Sequence, residues 1–457
     1  MKPRDYDERK DRVTKAASGP ETGRALVIEP WLKPSRGSGT LETRTPEGRL
    51  DEAVGLARAI DLAVVEAGIV KLAAIRPATY LGKGKVEEIA ALAKTNNASV
   101  VIMDCPVSPV QQRNLEKAWG AKVLDRTGLI LEIFGRRART REGALQVEHA
   151  HLTYQKSRLV RSWTHLERQR GGFGFLGGPG ETQLEADRRV IEERLKRIET
   201  ELEGVKRTRK LHRDSRKRVP YPIVALVGYT NAGKSTLFNK MARADVLSAD
   251  MLFATLDPTL RAIELAHGTK IILSDTVGFI SDLPTMLVAA FRATLEEVVE
   301  ADIILHVRDV SHLETAAQSS DVVKVLHDLG IDAARDRRLI EVWNKIDLLD
   351  PEARLSLRNQ AERRAADARP IPVSAISGEG IDALRDAIEA RLAQERQTLV
   401  ITVDAADGAG LSWLYRHAEV LDRAVDSEGR VRVTIRADAE KAARAKARFP
   451  NTGEPVH

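Results

Sequence analysis

A glycine-rich loop that contains one lysine and one serine is the strongest chemical signal in the sequence. The segment GYTNAGKS follows the apolar run YPIVALV and precedes LFNKMA, which has the pattern of a helix. In loops of the form G-x-x-x-x-G-K-[ST], backbone amides wrap around phosphate oxygens, and the helix that follows adds its positive dipole end. The motif predicts a phosphate-binding loop made of Gly228, Tyr229, Thr230, Asn231, Ala232, Gly233, Lys234, Ser235 and Thr236.

Two further segments carry groups that suit phosphate and metal chemistry. Lys234 is expected to reach the terminal phosphates, and the Ser235 hydroxyl is expected to bind Mg²⁺. Asp275, in DTVGF after the apolar strand IILS, is placed to hold the same ion through a water molecule. Thr255, in LFATLDPT, is the second hydroxyl ligand that we expect, with Thr259 as the alternative.

The glycine of DTVGF completes this set of groups. With no side chain, Gly278 lets its backbone amide approach the terminal phosphate. The expected Mg²⁺ ligands are therefore Ser235, Thr255 and Asp275, and the expected catalytic residues are Lys234, Thr255 and Gly278. Further phosphate-site contacts are expected from Phe253, Ala254, Thr276 and Val277.

A separate motif is expected to read the base. The sequence NKID follows the apolar strand LIEVW, and an aspartate there accepts hydrogen bonds from N1–H and the 2-amino group of guanine. Adenine offers neither donor at that edge, so the wrong base leaves polar groups unpaired. GTP and GDP are the predicted nucleotides, with base contacts from Asn344, Lys345, Asp347, Ser374, Ala375 and Ile376.

The residue after DTVG is a phenylalanine. Many GTPases carry a glutamine there that orients the attacking water, whereas Phe279 has no group that hydrogen-bonds to water. Slow intrinsic hydrolysis is expected, with the water positioned by backbone, by a partner, or by a bound monovalent cation. Asn231 is a candidate K⁺ ligand, and the alternative is that it supports a left-handed turn.

Composition and charge narrow the class of protein. The chain has 457 residues, a net charge of +6 and one cysteine, which excludes an intrachain disulfide and a cysteine-based zinc site. A reducing, cytoplasmic location is expected, with no membrane insertion, because no run approaches about 18 consecutive apolar residues. Residues 155–219 hold 18 Lys and Arg against 10 Asp and Glu, a net of +8. This segment is expected to contact a polyanion, most simply RNA; a solvated helix face is the alternative.

The hydrophobic pattern predicts an α/β protein. Strands are expected at 25–30, 69–75, 99–104 and 122–125, and helices at 51–67, 86–94 and 109–119, which form a small α/β subdomain with a mainly parallel sheet. Residues 127–168 and 181–213 read as helices on either side of the glycine-rich segment 171–180, so a helical hairpin is expected. The expected tail is strand 398–404, helix 410–424, strand 430–436 and helix 438–447.

These elements give an expected domain order. A disordered segment 1–23 precedes the α/β subdomain 24–126, the helical hairpin 127–218, a P-loop domain 219–397 with helices on both faces of a mainly parallel sheet, and a small α+β unit 398–457.

The motifs together resemble the HflX family of ribosome-associated GTPases. The likeness covers roughly residues 25–400 and includes YLGKGKVEEI, DRTGLILEIFGRRARTREGALQVEHAHLTY, RQRGGFGFLGGPGETQLEADRR and LFATLDPT. The resemblance implies a GTPase that binds the large ribosomal subunit, points the hairpin loop at ribosomal RNA and splits stalled or idle ribosomes under stress. A monomer with no DNA partner is expected.

Other interpretations stay open from the sequence. A GTPase that remodels free RNA and a regulatory switch that binds a protein are the alternatives. YLGKGKVEEI also allows a second nucleotide in the N-terminal subdomain, against the simpler interpretation that its glycines form a tight turn that caps a helix.

Overall fold

The structure is a computed structural model. It describes residues 22–32, 44–169, 179–216, 221–243, 252–253, 255–256, 258–265, 268–283, 295–404, 406–425, 429–450 and 452–453. The chain divides into two compact units, Met1–Arg136 with Tyr154–Arg188, and Arg137–Thr153 with Arg189–His457. Along the described ranges, no helix is both long enough and apolar enough to cross a membrane.

The first unit contains a four-stranded parallel sheet in the order β2-β1-β3-β4. The expected parallel α/β arrangement is therefore confirmed. Its core is formed by apolar side chains of the strands and of the helices between them, such as Val101, Leu115 and Val123. The elements are β1 (Thr22–Leu32), α1 (Pro46–Arg58), β2 (Leu62–Leu72), α2 (Lys83–Thr95), β3 (Val100–Met103), α3 (Pro109–Trp119) and β4 (Lys122–Asp125).

Two sequence expectations for this unit are wrong at their edges. The helix expected at 51–67 ends at Arg58, because Asp61 turns the chain with a left-handed φ of 57° and the following residues pair with β1. The expected disordered segment 1–23 includes Thr22 and Gly23, which begin β1. Residues 1–21 lie outside the described part of the chain.

The segment YLGKGKVEEI forms the start of α2. Gly82 is the N-cap residue, and its carbonyl accepts a hydrogen bond from the Val86 amide. Lys83 and Lys85 pair with glutamates of the next turn at 3.9 and 2.6 Å. These contacts favour the capping turn over a second nucleotide site.

In the described part of the predicted hairpin region there are three helices, where the sequence suggested two. They are α4 (Arg126–Arg137), α5 (Arg141–Gln169) and α6 (Pro179–Arg216). The first helical stretch is broken because Thr140 accepts a hydrogen bond from the Gly143 amide at 3.0 Å, which caps α5. Most of the glycine-rich segment 171–180 lies outside the described residues.

Within the second unit, the start of α5 and the later part of α6 run antiparallel. Arg194 pairs with Glu148 at 2.7 Å, and Arg141 pairs with Glu201 at 3.2 Å. Of the apolar stripe that the sequence shows on α6, Leu195 and Ile198 are buried, whereas Val190 is 65% exposed.

The nucleotide motifs lie on a six-stranded sheet in the order β10-β9-β8-β5-β7-β6. All neighbours are parallel except β6 and β7, so the mainly parallel sheet is confirmed. The elements are β5 (Ile223–Gly228), α7 (Lys234–Ala242), β6 (Thr259–Glu264), β7 (Lys270–Asp275), β8 (Ile303–Asp309), α8 (Thr315–Asp328), β9 (Leu339–Asn344), α9 (Pro351–Glu362), β10 (Ile371–Pro372) and α10 (Ile381–Glu395).

The C-terminal part is an antiparallel four-stranded sheet in the order β12-β13-β11-β14 with two helices. The expected α+β character is confirmed, but the helix expected at 410–424 ends at His417. Residues 419–425 form a strand because they pair with β13 from Arg436 back to Val431. The elements are β11 (Arg396–Val403), α11 (Gly408–His417), β12 (Glu419–Val425), β13 (Val431–Asp438), α12 (Ala439–Arg448) and β14 (Thr452–Gly453).

Candidate nucleotide site

Two glycines allow the loop after β5 to pack closely. Gly228 has a φ of +154°, and a Cβ there would lie 2.2 Å from the Val307 carbonyl oxygen. Gly233 has a φ of +89°, and a Cβ there would lie 2.2 Å from Nδ2 of Asn344. Only glycine fits both the backbone conformation and the space. The loop therefore packs closely against the β8 backbone and against the Asn344 side chain of the NKID segment.

Lys234 begins α7 with its side chain inside this loop. The Nζ atom donates to the carbonyl oxygens of Gly228 at 3.1 Å and Tyr229 at 2.8 Å. Burial lowers the pKa of the ammonium to about 8, and the nearby Asp275 carboxylate opposes that shift. The ammonium therefore lies inside the loop that is expected to bind phosphate.

The DTVGF segment lies directly beside the loop. A Cβ on Gly278 would lie 2.9 Å from Cα of Thr230 and 3.0 Å from Nζ of Lys234. The Thr230 amide donates to the Phe279 carbonyl at 2.7 Å, and the Phe279 amide donates to the Gly228 carbonyl at 3.0 Å. The two segments are therefore joined by backbone hydrogen bonds at the expected phosphate position.

The three expected metal ligands meet at one point. Ser235 Oγ donates to Asp275 Oδ2 at 2.7 Å, Thr255 Oγ1 donates to the same oxygen at 3.0 Å, and the two hydroxyl oxygens are 2.8 Å apart. Burial raises the pKa of Asp275, and the two hydroxyl donors and Lys234 counteract this. The alternative ligand, Thr259, begins β6 and pairs with Asp275 only in backbone register.

The chemistry of this donor set fits Mg²⁺. All three side chains offer hard oxygen atoms, which this ion prefers. The other carboxylate oxygen of Asp275, Oδ1, is buried and has no hydrogen-bond partner among the described residues. A cation at this point would satisfy that oxygen.

The other residues expected near the phosphates contact mainly the protein's own backbone and core. Phe279 is 1% exposed, so its ring packs in the core. Thr276 Oγ1 donates to the Leu226 carbonyl at 2.5 Å, and Tyr229 Oη accepts from the Ser281 amide at 2.8 Å. Val277 is buried, and Thr236 is half-buried on α7.

Two loop residues adopt a left-handed backbone. Asn231 has a φ of 59°, which agrees with the turn interpretation of that residue. Phe253, with a φ of 56°, is buried just before the expected ligand Thr255. Ala254 lies outside the described residues.

The base-reading segments lie at the ends of β9 and β10. Asn344 donates through Nδ2 to the Ala232 carbonyl at 2.9 Å and accepts at Oδ1 from the Ala375 amide at 3.1 Å. Asn344 therefore ties the phosphate loop to the second base loop. In this arrangement the amide of Ala375, one of the expected base contacts, is directed at Asn344.

One carboxylate oxygen of Asp347 is available to accept a hydrogen bond from a ligand. Its Oδ1 atom is buried without a hydrogen-bond partner in the described part of the chain. Ser374 is fully buried and accepts at Oγ from the Ser377 amide at 3.1 Å. Ile376 is 73% exposed, and its carbonyl accepts from Lys240 Nζ at 3.3 Å.

Sequence reasoning missed one residue that supports the base motif. Asp309, at the end of β8, pairs with Lys345 Nζ at 2.8 Å and accepts at Oδ1 from the amide and hydroxyl of Ser311. The available signal was an acidic residue at the carboxyl end of a buried strand between DTVG and NKID, where parallel sheets place ligand-site groups.

Four family models match successive parts of the chain. Residues 47–135 match "GTP-binding GTPase N-terminal" and residues 137–216 match "GTP-binding GTPase Middle Region". Residues 223–345 match "50S ribosome-binding GTPase", and residues 358–455 match "HflX C-terminal domain".

Curated relatives and one solved structure extend this comparison. The chain is 50% identical over 373 residues to GTPase HflX of Magnetococcus marinus, covering 82% of this chain and 84% of that protein. It is 46% identical over 363 residues to GTPase HflX of Escherichia coli, with 79% and 83% covered. A GDP complex of a GTP-binding protein from Sulfolobus solfataricus is similar at 23% identity and a TM-score of 0.43, covering 81% of this chain and 99% of that one.

The two curated relatives and the four matched regions agree with the geometry of the phosphate loop and the guanine motif. The chain belongs to the HflX family of GTPases, and it binds guanine nucleotides and hydrolyses GTP.

Proposed function

We propose that this GTPase acts on the ribosome. With GTP and Mg²⁺ bound it associates with the large subunit and separates stalled or idle ribosomes under stress, and hydrolysis permits its release. The observation that carries this proposal is the match of residues 223–345 to a family described as a 50S ribosome-binding GTPase.

The described contacts support a role for each group of the site. Lys234 and the loop amides bind the phosphates, and the Gly278 amide approaches the terminal phosphate. Ser235, Thr255 and Asp275 hold Mg²⁺, which neutralises phosphate charge when it is bound. Asp347 Oδ1, which has no hydrogen-bond partner among the described residues, accepts from the guanine edge. The Ala375 amide reaches O6 by exchanging its Asn344 acceptor.

Hydrolysis needs help from outside this set. Phe279 is buried and has no group to orient water, so the intrinsic rate is slow and the ribosome supplies the missing arrangement. A K⁺ ion bound near Asn231 is a second way to supply it. Equal turnover in Na⁺ and K⁺ buffers removes that role for K⁺.

The basic segment 155–219 supplies the RNA contact in this proposal. This segment has a net charge of +8 and contains the glycine-rich residues 171–180, and its residues 155–216 lie in the region that matches the family's middle part. Phosphate contacts of Lys and Arg position a protein on RNA without reading its sequence.

The decisive experiment measures GTP hydrolysis with and without purified large subunits. Strong stimulation, together with co-sedimentation of the complex formed with a non-hydrolysable GTP analogue, is the expected result. Binding to free RNA without co-sedimentation would replace the proposal with an RNA-remodelling GTPase. If the chain instead binds a protein partner, and salt does not weaken that complex, the result would point to a regulatory switch.

A further inference from the structure

The helix that follows the base motif begins with a fixed turn. Asp350 is the N-cap of α9, and its carboxylate accepts from the Ala353 amide at 2.7 Å. The Arg354 amide donates to the Asp350 carbonyl at 3.0 Å. The backbone of Arg354 is therefore set by a capped first turn.

The Arg354 side chain reaches both base loops. Its Nε donates to the Ile346 carbonyl at 2.7 Å, and its Nη1 approaches Glu379 Oε2 at 3.4 Å. Ile346 stands between Lys345 and Asp347 in the first loop. Glu379 closes the second loop, because its carbonyl accepts from the Ser374 amide at 2.9 Å.

The segment held by Arg354 is strained and needs support. Lys345 has a left-handed φ of 67°, which a residue with a side chain adopts at a cost. The Ile346 carbonyl belongs to the peptide directly before Asp347, so fixing its direction fixes the short helical turn that carries the carboxylate. A carboxylate that accepts two donors of one base edge tolerates little displacement.

We propose that Arg354 is a positioning residue for guanine recognition. By joining the Ile346 carbonyl to Glu379 it holds Asp347 in the plane of the base, and it thereby sets the preference for guanine over a purine without the 2-amino group. The inference rests on the proposed role of Asp347 as the group that reads guanine.

The test compares GTP with inosine triphosphate, which lacks the 2-amino group, in the Arg354→Ala variant. The KM for GTP rises about 5-fold and the preference for GTP over inosine triphosphate shrinks about 3-fold, because one charged hydrogen bond to the loop is removed. The kcat stays within about 2-fold, since the phosphate side is untouched. If the KM rises by the same factor for both nucleotides, so that the preference for GTP over inosine triphosphate does not change, the inference is overturned.

Arg358→Ala is the matched control. Arg358 lies on the same helix and also approaches Glu379, at 3.4 Å, and no bond from it to the Ile346 carbonyl is seen in the described structure. Its preference for GTP over inosine triphosphate stays as in the wild type. A shift as large as that of Arg354→Ala would assign the effect to Glu379 and overturn the role of the Ile346 contact.

Asp347→Asn separates this inference from the proposed site. An asparagine amide donates to the 2-oxo group of xanthine, so this variant gains activity with xanthosine triphosphate and loses it with GTP. Without that exchange, the base assignment itself fails. With it, an unchanged preference in Arg354→Ala overturns the positioning role alone.

Discussion

Lys234 illustrates how single side chains in the site are held before a nucleotide binds. Its ammonium donates to two carbonyls of its own loop, so two of its three donors are satisfied although the side chain is buried. Phosphate oxygens are stronger acceptors than these carbonyls because they carry charge. The nucleotide therefore finds the lysine already placed.

Replacement of this lysine removes the main cation of the loop. We expect Lys234→Ala to weaken GTP binding by about 100-fold, since charged hydrogen bonds to phosphate contribute about 1.5–3 kcal/mol each. Titration with a fluorescent GTP analogue measures the effect, and Lys270→Ala, at an exposed lysine of β7, is the control. If Lys234→Ala binds the GTP analogue as tightly as the wild type does, the assignment of the phosphate site is wrong.

His306 on β8 is a second buried group, and it titrates. It is 3% exposed and lies beside Val227 in the sheet. Burial lowers the pKa of His306 to about 4; Glu341 opposes this shift, while Arg308 and Lys234 add to it. The folded state therefore holds the imidazole neutral, and protonation favours the unfolded chain.

This predicts a pH dependence with a definite sign. The stabilising contribution is present above about pH 6.5 and is lost as the pH falls towards 4, by about 2–3 kcal/mol at pH 4.5. The melting temperature of the wild type should fall more between pH 7 and 4.5 than that of His306→Leu. Parallel curves for the two proteins would contradict the buried neutral histidine.

Among the elements, β4, α4 and α5 are joined at Asp125 in the first unit. The carboxylate accepts from Tyr154 Oη at 2.5 Å, from Arg158 Nη2 at 2.5 Å and from the Gly128 amide at 2.8 Å. A Cβ on Gly128 would lie 3.3 Å from both Tyr154 Oη and Asp125 Oδ1, so glycine lets the tyrosine approach. One aspartate thus fastens three elements.

Loss of that carboxylate leaves buried donors without an acceptor. We expect Asp125→Ala to lower the free energy of unfolding by about 3 kcal/mol, the usual effect of removing one member of a buried ion pair. Arg136→Ala, which removes the exposed Asp61–Arg136 pair of the same unit, should cost at most about 0.5 kcal/mol. Urea unfolding followed by circular dichroism compares them, and similar losses would argue against the Asp125 junction.

On the scale of the whole molecule, charge is unevenly distributed. The chain carries +6 in total, but residues 155–219 carry +8, so the rest is close to neutral at −2. A partner that reads charge is expected to meet this segment and not the surface in general.

Salt dependence tests that expectation. The variant changes Arg207, Lys210, Arg213 and Arg216 to glutamine, and its binding to large subunits should weaken. A plot of the logarithm of the binding constant against the logarithm of the salt concentration should become less steep, by about 0.7–0.9 in slope for each phosphate that is no longer neutralised. The control variant carries the same change to glutamine at four exposed lysines of the first unit, Lys71, Lys94, Lys117 and Lys122. An equal change of slope in both variants would show that the charge acts without regard to position.

The sequence alone predicted the local parts of this protein. The phosphate loop, DTVG and NKID are each an unbroken run of residues that follows a strand. Their residue types and their order along the chain therefore indicate guanine-nucleotide chemistry before any fold is known. Helices with caps written in the sequence were also predictable: α3, with Ser108 as N-cap and Gly120 after its end, begins and ends where expected. Short apolar runs were less certain, since residues 62–67 and 419–425 fit a helix or a strand until β1 and β13 pair with them.

Tertiary structure decided what depends on distant residues. Ser235, Thr255 and Asp275 are 20 and 40 positions apart in the chain, and folding, not spacing, puts Thr255 in place of Thr259 beside the carboxylate. The links from Asn344 to Ala232 and from Asp309 to Lys345 join residues on different strands and loops, and no motif specifies these partners. The link from Arg354 to Ile346 spans only eight positions, but it too depends on how the helix after NKID packs. A motif fixes which groups are available, but their directions come from contacts that form only when separate strands join one sheet.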